Sequence, residues 1–432
     1  MPIHTRLTRR TFLKVAIAAP AIVPSSALGR DGVAPSDKVA MGFVGLGGHG
    51  IGRNLNGFLG QPDVRISALC DCDAGCLARG HQVATNSLNG RGRTAEAAMI
   101  FTTGDWRQVI DRPEVDAVMV SAPDHWHCLM AVSALRAGKD VICEKPFYCI
   151  GEGRVLADTV KRYGAVFQTS TEDRSIGIYH RLAETVRNRL IGKLERIIVT
   201  LPQAPGGPGD PTPKPVPQGL DWNMWLGPAP WSPYCPGRMH FNFRYVSDTG
   251  AGILADWGCH QCDTAQWAND TERTGPIEVE GTGERFATGL YDTFHTYNLT
   301  YRYASGVVLN IRSGGTGIRF EGTDGWVESP SWCAPIRASR PELIHEPIPA
   351  SGVHLFTCPA GEHRNFLDGV KSRRDPYFPA EVGHRCSSLL HLGTICMLLR
   401  RKLRWDPDKE IFPDDEQANR FISRPMREPW TM

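Results

Sequence analysis

The most constraining feature of the sequence is a glycine cluster, GLGGHG, that directly follows the apolar run KVAMGFV. Gly45, Gly47 and Gly50 have the spacing G-x-G-x-x-G, which permits a tight strand-to-helix turn and a close backbone approach to a pyrophosphate. A second apolar run, VRISALC, ends at Asp71, whose carboxylate can bind the ribose hydroxyls of a dinucleotide. The pattern predicts a dinucleotide site. NAD is favoured over NADP because Asp71 would repel a 2′-phosphate.

Alternating strand and helix patterns extend this prediction over residues 38–170. Apolar runs such as VDAVMVSAP and DVICEKP alternate with helical patterns such as HWHCLMAVSALRAG. Continuous apolar strands that alternate with helices are typical of a parallel sheet buried on both faces. The alternative is a glycine turn in an unrelated α/β fold, which the strand–turn–helix context disfavours.

The pattern changes after Arg174. The segment FHTYNLTYRYASGVVLNIRSG alternates apolar and polar residues with a period of two, which predicts a half-exposed antiparallel sheet. Residues 384–402 have a helical pattern. Residues 202–245 are rich in proline and aromatic residues, and we interpret them as an ordered insertion rather than a disordered linker. A second domain is therefore expected over residues 171–432.

Two predicted strands of the first domain end in polar residues. Ligands of such sheets bind at the carboxyl edge of the strands, so SAPDHWH places Pro123 and His127 beside the cofactor. His125 is expected to have a surface or capping role. The segment CEKP places Glu144 and Lys145 at the same edge, where a lysine can polarise a hydroxyl or donate a proton.

The segment GAGILADWGCHQCD, residues 250–263, offers two chemistries. Asp256 and His260 are four residues apart and share one face of a helix. Cys259, His260 and Cys262 are instead candidate metal ligands, but they spread around the helix, and no second ligand pair lies at zinc-like spacing. We predict no metal site and interpret the cysteines as packing residues.

These residues predict acid/base chemistry. His260 is expected early in its helix, where the positive end of the helix dipole favours a neutral imidazole that accepts a proton. Asp256 is expected to orient either the substrate or the imidazole. Because Lys145 comes from the first domain, the reacting carbon is expected in the cleft between the domains.

In order and spacing, the motifs GLGGHG, CD, SAPDHWH, EKP and DWGCHQCD resemble those of the Gfo/Idh/MocA oxidoreductases. The resemblance covers roughly residues 38–400. It implies an N-terminal Rossmann domain followed by an α/β domain with a large, open, mostly antiparallel sheet. It also implies that Lys145, Asp256 and His260 form the catalytic group, and that the Lys145–Pro146 peptide bond is cis. Residues 202–245 depart from the simplest members, so the resemblance does not identify the substrate.

The first 27 residues resemble a twin-arginine export signal. TRRTFLK precedes a short apolar run and the small-residue segment SSALG, and no cysteine stands where a lipid anchor would attach. The alternative is a merely basic amphipathic N-terminus. We expect a periplasmic or secreted protein that uses the twin-arginine machinery and has no membrane anchor. A formal net charge of +2 does not suggest a nucleic-acid or membrane-binding surface.

The expected function is transfer of hydride between a tightly bound NAD and a secondary alcohol of a sugar, glycoside or cyclitol, in a homo-oligomer. The alternatives are an NAD-dependent glycosidase or lyase, and a sugar-binding module without catalysis. Arg174 is either a substrate contact or an ion-pair partner. Five residues of the insertion form either a sugar-binding wall or a packed loop core: Trp222, Trp225, Tyr234, Arg238 and His240.

Overall fold

The structure, a computed structural model, describes residues 33–432. The predicted export signal, residues 1–27, therefore lies outside the described residues. The described residues form an α/β protein with two sheets, one of six strands and one of eight. No helix among them is both long and apolar enough to cross a bilayer.

The first sheet is entirely parallel, with the strand order β3-β2-β1-β4-β5-β6. This is the strand order of a dinucleotide-binding Rossmann sheet. The six strands, in chain order, are Val39–Val44, Val64–Cys70, Phe101–Thr103, Ala117–Val120, Asp140–Glu144 and Phe167–Ser170.

Helices cover both faces of this sheet. Helix α1 begins as a π-helical segment, Gly50–Leu55, and continues as Asn56–Leu59. Every residue of β1, β4 and β5 is buried, as the uninterrupted apolar runs predict. The sequence did not reveal the short strand β3. Helices α2–α6 are Ala74–Gly90, Thr94–Ala98, Arg107–Ile110, Asp124–Arg136 and Ile150–Tyr163.

The second sheet is mostly antiparallel, as the period-two alternation predicts. Its order is β13-β12-β11-β7-β10-β9-β8-β14, and only β7 and β10 pair in parallel. Strands β7–β14 are Leu194–Leu201, Glu278–Glu284, Thr296–Arg302, Val308–Ser313, Ile318–Gly322, Gly325–Ser329, Arg337–Ala338 and Leu403–Arg404.

Two long helices position the site against this sheet. The ninth and twelfth helices pack against each other, and the twelfth also packs against α6 of the first domain and against β8. The twelfth helix is mostly buried because neighbouring elements cover most of its faces. Helices α7–α13 are Gly177–Arg187, Trp222–Leu226, Gly252–Ala268, Glu342–His345, Glu362–Ser372, Ala380–Leu399 and Glu416–Asn419.

Charged pairs add to the apolar contact between the two halves. On α6, Arg154 donates hydrogen bonds to Glu381 on α12, at 2.7 and 2.9 Å, and to Glu410, at 2.7 and 3.0 Å. All thirteen cysteines have free thiols, and all except Cys72, Cys333 and Cys358 are buried. Buried free cysteine behaves as a small apolar side chain, in agreement with the packing role expected from the sequence.

Candidate active site

A cavity of about 810 Å³ opens at the carboxyl edge of the first sheet and is closed on its other side by α9 and the insertion. This volume lies in the range of small-molecule and cofactor sites. Every residue predicted for the site lines this cavity: Gly45, Gly47, Gly50, Asp71, Pro123, His127, Glu144, Lys145, Asp256 and His260.

The glycine turn has the geometry that a pyrophosphate requires. Gly45 has a φ of +91°, and a Cβ there would lie 2.6 Å from the backbone of Ser121. A Cβ on Gly50 would lie 2.2 Å from the carbonyl oxygen of Gly45. Gly47 has no atom within 4 Å of an added Cβ, so it presents bare backbone to the cavity. The turn therefore fits a dinucleotide phosphate at the start of α1.

Asp71 follows β2 at the same end of the cavity. Its carboxylate accepts hydrogen bonds from the backbone N–H groups of Leu46, at 2.7 Å, and Asp73, at 2.9 Å. Burial raises the pKa of the Asp71 carboxyl, and these two hydrogen bonds partly offset that effect. These bonds fix the carboxylate in the cavity wall, where it can accept hydrogen bonds from ribose hydroxyl groups.

The two histidines after β4 have structural contacts. The ring nitrogens of His127 lie 2.8 Å from the carbonyl oxygen of Pro146 and 2.7 Å from that of Ala122. His127 thereby connects the edge of the cavity to the turn after Lys145, whose peptide bond to Pro146 is cis, as the resemblance implied. The surface or capping role expected for His125 is wrong. Its ring is buried between the carbonyl oxygens of Thr249 and Trp225.

Glu144 is held beneath the glycine turn. Its Oε1 accepts hydrogen bonds from Asn54, at 2.9 Å, and pairs with Nε2 of His49 at 3.0 Å. Burial opposes ionisation, but His49, Lys145 and Asn54 outweigh burial and hold the pKa of the Glu144 carboxyl well below its usual range. The hydrogen bond with Glu144 raises the pKa of His49.

Lys145 and Asp256 meet across the two domains. The Lys145 ammonium donates hydrogen bonds to Asp256 Oδ1, at 2.8 Å, and to the Asp256 carbonyl oxygen, at 3.0 Å. Arg244, which the sequence analysis missed, forms an ion pair with the same Oδ1 at 3.1 Å. Burial opposes ionisation, but these cations hold the pKa of Asp256 well below its usual range. Burial lowers the pKa of Lys145, yet Asp256 and Glu144 raise it to above its ordinary value.

His260 is oriented by a residue that the sequence analysis did not select. Its Nδ1 lies 2.7 Å from Oδ2 of Asp173, a fully buried residue just after β6. Nε2 makes no hydrogen bond to the described residues. Of the two roles expected for Asp256, orientation of the imidazole is therefore wrong, since Asp256 binds Lys145 and Arg244. The dipole argument also fails, because His260 is the ninth of 17 residues in α9.

The cysteines on either side of His260 do not join it. Cys259 and Cys262 are buried in the apolar core of the second domain, at 1% and 0% exposure, while His260 lines the cavity. The geometry thus excludes the Cys259–His260–Cys262 metal site that the spacing left open. Among residues 33–432 a different group has metal-like geometry, formed by Glu172, Asp173 and His260.

A second ion-pair group adjoins these residues. Arg53, on α1, forms ion pairs with Glu172 at 3.0 Å and with the buried Glu362 at 2.7 Å. Burial, together with the nearby Glu144 and Glu172, raises the pKa of the Glu362 carboxyl to about 7, although Arg53 opposes this increase. The sequence held a usable signal for Glu172 and Asp173, because both follow a strand at the edge where ligands bind.

Three of the five insertion residues, Trp222, Trp225 and Tyr234, form a small packed core. The rings of Trp222 and Trp225 stack at 4.7 Å, and Tyr234 packs edge-on against Trp222 at 5.3 Å. Trp225 and His240 also line the cavity, whereas Arg238 does not. Arg174 is an ion-pair partner: it contacts Asp263 at 2.7 Å and Glu272 at 2.6 Å in the protein interior.

The fold and the cavity define a two-domain, dinucleotide-binding protein. Comparison with family models identifies its two halves. Residues 39–171 match the model described as "Oxidoreductase family, NAD-binding Rossmann fold", and residues 206–432 match "Oxidoreductase family, C-terminal alpha/beta domain". The chain belongs to the Gfo/Idh/MocA oxidoreductase family, and its N-terminal Rossmann domain binds NAD.

Curated relatives match parts of the chain. A levoglucosan dehydrogenase of Pseudarthrobacter phenanthrenivorans is 43% identical over 178 residues, which cover 40% of this chain and 39% of that protein. Glycosyl hydrolase family 109 protein 2 of Shewanella sp. (strain ANA-3) is 38% identical over 112 residues, or 26% and 23% of the two chains. The matched segments thus span well under half of these relatives.

Solved structures share the whole fold. The aldose-aldose oxidoreductase from Caulobacter crescentus, solved with glycerol, superposes with a TM-score of 0.60 at 18% identity. The superposition covers 85% of this chain and 99% of that one. The likeness therefore extends over both sheets.

Proposed function

We propose that this protein oxidises a secondary alcohol of a sugar, glycoside or cyclitol with NAD. One observation carries the proposal: Lys145 of the first domain and the pair Asp256 and His260 of the second converge in the cavity that also contains the glycine turn. A proton-accepting group and a cationic hydrogen-bond donor thereby lie beside a nicotinamide site, which alcohol oxidation requires.

Each side chain of the site has a separate role in the proposed oxidation. Asp173 holds Nδ1 of His260, which leaves Nε2 to take the hydroxyl proton of the substrate. Lys145 has a raised pKa, so it remains an ammonium and stabilises the developing negative charge on the substrate oxygen. Of the two roles that the sequence suggested for Lys145, this proposal keeps polarisation of the hydroxyl and drops proton donation. Asp256 and Arg244 fix the position of Lys145. NAD, when bound, supplies the hydride acceptor.

The substrate class is supported by the cavity wall and by the relatives. Trp257 and Phe241 line the cavity next to the charged residues, and aromatic faces pack well against the C–H faces of sugar rings. The names of the relatives refer to levoglucosan and aldoses, which are carbohydrates. Polar side chains that line the cavity, such as Lys145 and Arg244, would bind the hydroxyl groups of such a substrate.

A second candidate is an NAD-dependent glycosidase or lyase that oxidises its sugar transiently, eliminates the aglycone and reduces the sugar again. The match to glycosyl hydrolase family 109 proteins favours it. The same residues would carry the oxidation step. The two functions differ only in whether a leaving group departs from the oxidised sugar.

We further propose that the protein is exported and carries NAD as a tightly held group. TRRTFLK supports export by the twin-arginine route, which moves folded chains. A protein outside the cytoplasm cannot draw on a free NAD pool. To test this, the mature protein is purified from the periplasm without added nucleotide, denatured, and assayed for released NAD. We expect close to one NAD per chain. Protein that is empty and needs millimolar soluble NAD would contradict the proposal.

The catalytic proposal is tested with a panel of sugars, glycosides and cyclitols added to the NAD-loaded protein. Absorbance at the NADH wavelength reports oxidation, and release of a chromogenic aglycone reports elimination. Reduction of NAD without aglycone release supports the dehydrogenase. Aglycone release with no net NADH supports the glycosidase. A panel that produces neither signal, in protein shown to bind NAD, would contradict both.

A further inference from the structure

Three cation-binding side chains converge at the reacting end of the cavity. One carboxylate oxygen from each of Glu172 and Asp173 and one imidazole nitrogen of His260 lie within 4.8 Å of one another. Ligands at about 2.1 Å from one metal ion lie at most about 4.2 Å apart, so the three must close by only roughly half an ångström. Glu172 and Asp173 are consecutive residues that follow β6, and His260 lies on α9.

An unpartnered atom at this position also indicates a missing ligand. Asp173 is 0% exposed, and although its Oδ2 pairs with His260, its Oδ1 has no hydrogen-bond partner among the described residues. A buried carboxylate oxygen without a partner is costly. A cation bound between the three side chains would satisfy it.

The local charge balance favours a cation as well. Three fixed cations stand against four carboxylates around this end of the cavity, and Glu362, with a pKa of about 7, adds a further partial negative charge. The cations are Arg53, Lys145 and Arg244, and the four carboxylates are Glu144, Glu172, Asp173 and Asp256. A divalent cation would neutralise the excess negative charge of this group.

We propose that Glu172, Asp173 and His260 form a site for a divalent transition-metal ion at the edge of the substrate cavity. One imidazole and two carboxylates are a ligand set suited to Mn²⁺, Fe²⁺ or Zn²⁺. Three protein ligands leave coordination positions open. Because Glu172 and His260 both line the cavity, an open position would face a substrate oxygen.

Metal binding would change the role of His260. The nitrogen that faces Asp173 is Nδ1, and coordination there uses its lone pair. The proton of the neutral ring then resides on Nε2, which therefore donates a proton on the cavity side and no longer accepts one. This consequence rests on the proposed function, whereas the metal site itself does not. Bound metal is thus expected to slow alcohol oxidation.

The test uses Mn²⁺ as the probe, because the three thiols that are not buried, those of Cys72, Cys333 and Cys358, would compete for zinc. NAD-loaded protein is titrated with Mn²⁺, and free Mn²⁺ is followed by electron paramagnetic resonance. We expect one saturable site per chain, with affinity lowered about tenfold or more in Glu172→Gln and in Asp173→Asn. Asp158→Asn, at an exposed carboxylate on α6, is the control and should bind like wild type.

Circular dichroism confirms folding of each variant, and Glu172→Gln alone suffices if Asp173→Asn does not fold, since Glu172 is partly exposed. No saturable site in wild type, or equal affinity in wild type and a folded Glu172→Gln, would overturn the metal proposal. Saturable binding that leaves alcohol oxidation unchanged would support the metal site and contradict the base role of His260. The two proposals can therefore fail separately.

Discussion

The two ends of the cavity are built differently. At the cofactor end, backbone atoms of the glycine turn and a single carboxylate, Asp71, form the site within 27 consecutive residues. At the reacting end, side chains far apart in the sequence meet: 111 residues separate Lys145 from Asp256, and 87 separate Asp173 from His260. The cofactor end thus depends on local chain geometry, whereas the reacting end depends on how the domains pack and on balanced buried charges.

The largest effect is expected from removing the ammonium at the reacting end. Lys145→Ala should lower turnover by on the order of a hundredfold or more, because the developing charge on the substrate oxygen loses its cation. NAD affinity should change little, since the glycine turn is untouched. Steady-state kinetics and NAD titration measure the two quantities. Lys161→Ala, at an exposed position on α6, is the control, and wild-type turnover in Lys145→Ala would refute the assigned role.

At the cofactor end, a substitution is expected to weaken NAD binding. In Gly50→Ala the new Cβ would lie 2.2 Å from the carbonyl oxygen of Gly45, so the turn must shift. Such overpacking costs about 1–3 kcal/mol, and we expect NAD affinity to fall by roughly tenfold to a hundredfold. Fluorescence titration measures it. Gly90→Ala, whose Cβ meets nothing within 4 Å, should bind NAD normally. Unchanged affinity in Gly50→Ala would show that the turn does not hold the cofactor.

Buried charge at the reacting end predicts a pH dependence of stability. Glu362 has a pKa raised by burial to about 7 in the folded protein, above its unfolded value. The protonated Glu362 side chain therefore contributes fully to stability below the unfolded pKa, and this contribution is lost as the pH rises through about 7. Between pH 5 and pH 8, the free energy of unfolding of Glu362→Gln should rise relative to wild type by about 2 kcal/mol.

Urea unfolding of both proteins at the two pH values measures this difference. The comparison removes the titration of all other groups that the two proteins share. A difference that is constant with pH, or that changes in the opposite direction, would mean that Glu362 is ionised throughout and that Arg53 neutralises it fully.

A smaller effect is expected from exchanging the charge that selects the cofactor. Replacing Asp71 by Ser and Cys72 by Arg puts a cation where a 2′-phosphate would lie. The ratio of NADP to NAD affinity should rise by about tenfold, although loss of the hydrogen bonds from Leu46 and Asp73 will weaken both. Parallel titrations with the two nucleotides give the ratio. Tighter binding of NADP than NAD by the wild type would contradict the reading of this pocket.

The same contrast explains what could be predicted from the sequence. The glycine spacing, Asp71 and the strand-terminal Lys145 are local patterns, and Asp256 and His260 lie one helical turn apart, so short-range rules identified them all. The fold class followed from the change of hydrophobic period near residue 171. Domain packing determined the rest: Asp173 reaches His260, and Arg244 reaches Asp256, only in the folded chain.

Two errors have the same origin. The helix-dipole effect predicted for His260 rested on a helix that began closer to it, whereas α9 begins at Gly252. The predicted exposure of His125 ignored the insertion, whose Trp225 carbonyl oxygen lies 3.1 Å from the His125 ring. Neither feature can be read from the few residues around each histidine. The start of α9 and the contact of His125 with Trp225 both depend on how more distant parts of the chain fold.

The central claim is that His260 accepts the proton while a separate region of the cavity holds NAD. It is tested most directly by measuring single-turnover NAD reduction and NAD affinity together in wild type and His260→Ala, with one active substrate from the panel. We expect the rate to fall by about a hundredfold or more while the dissociation constant of NAD stays within about twofold of the wild-type value. A wild-type rate in His260→Ala, or a loss of NAD affinity that matches the loss of rate, would contradict it.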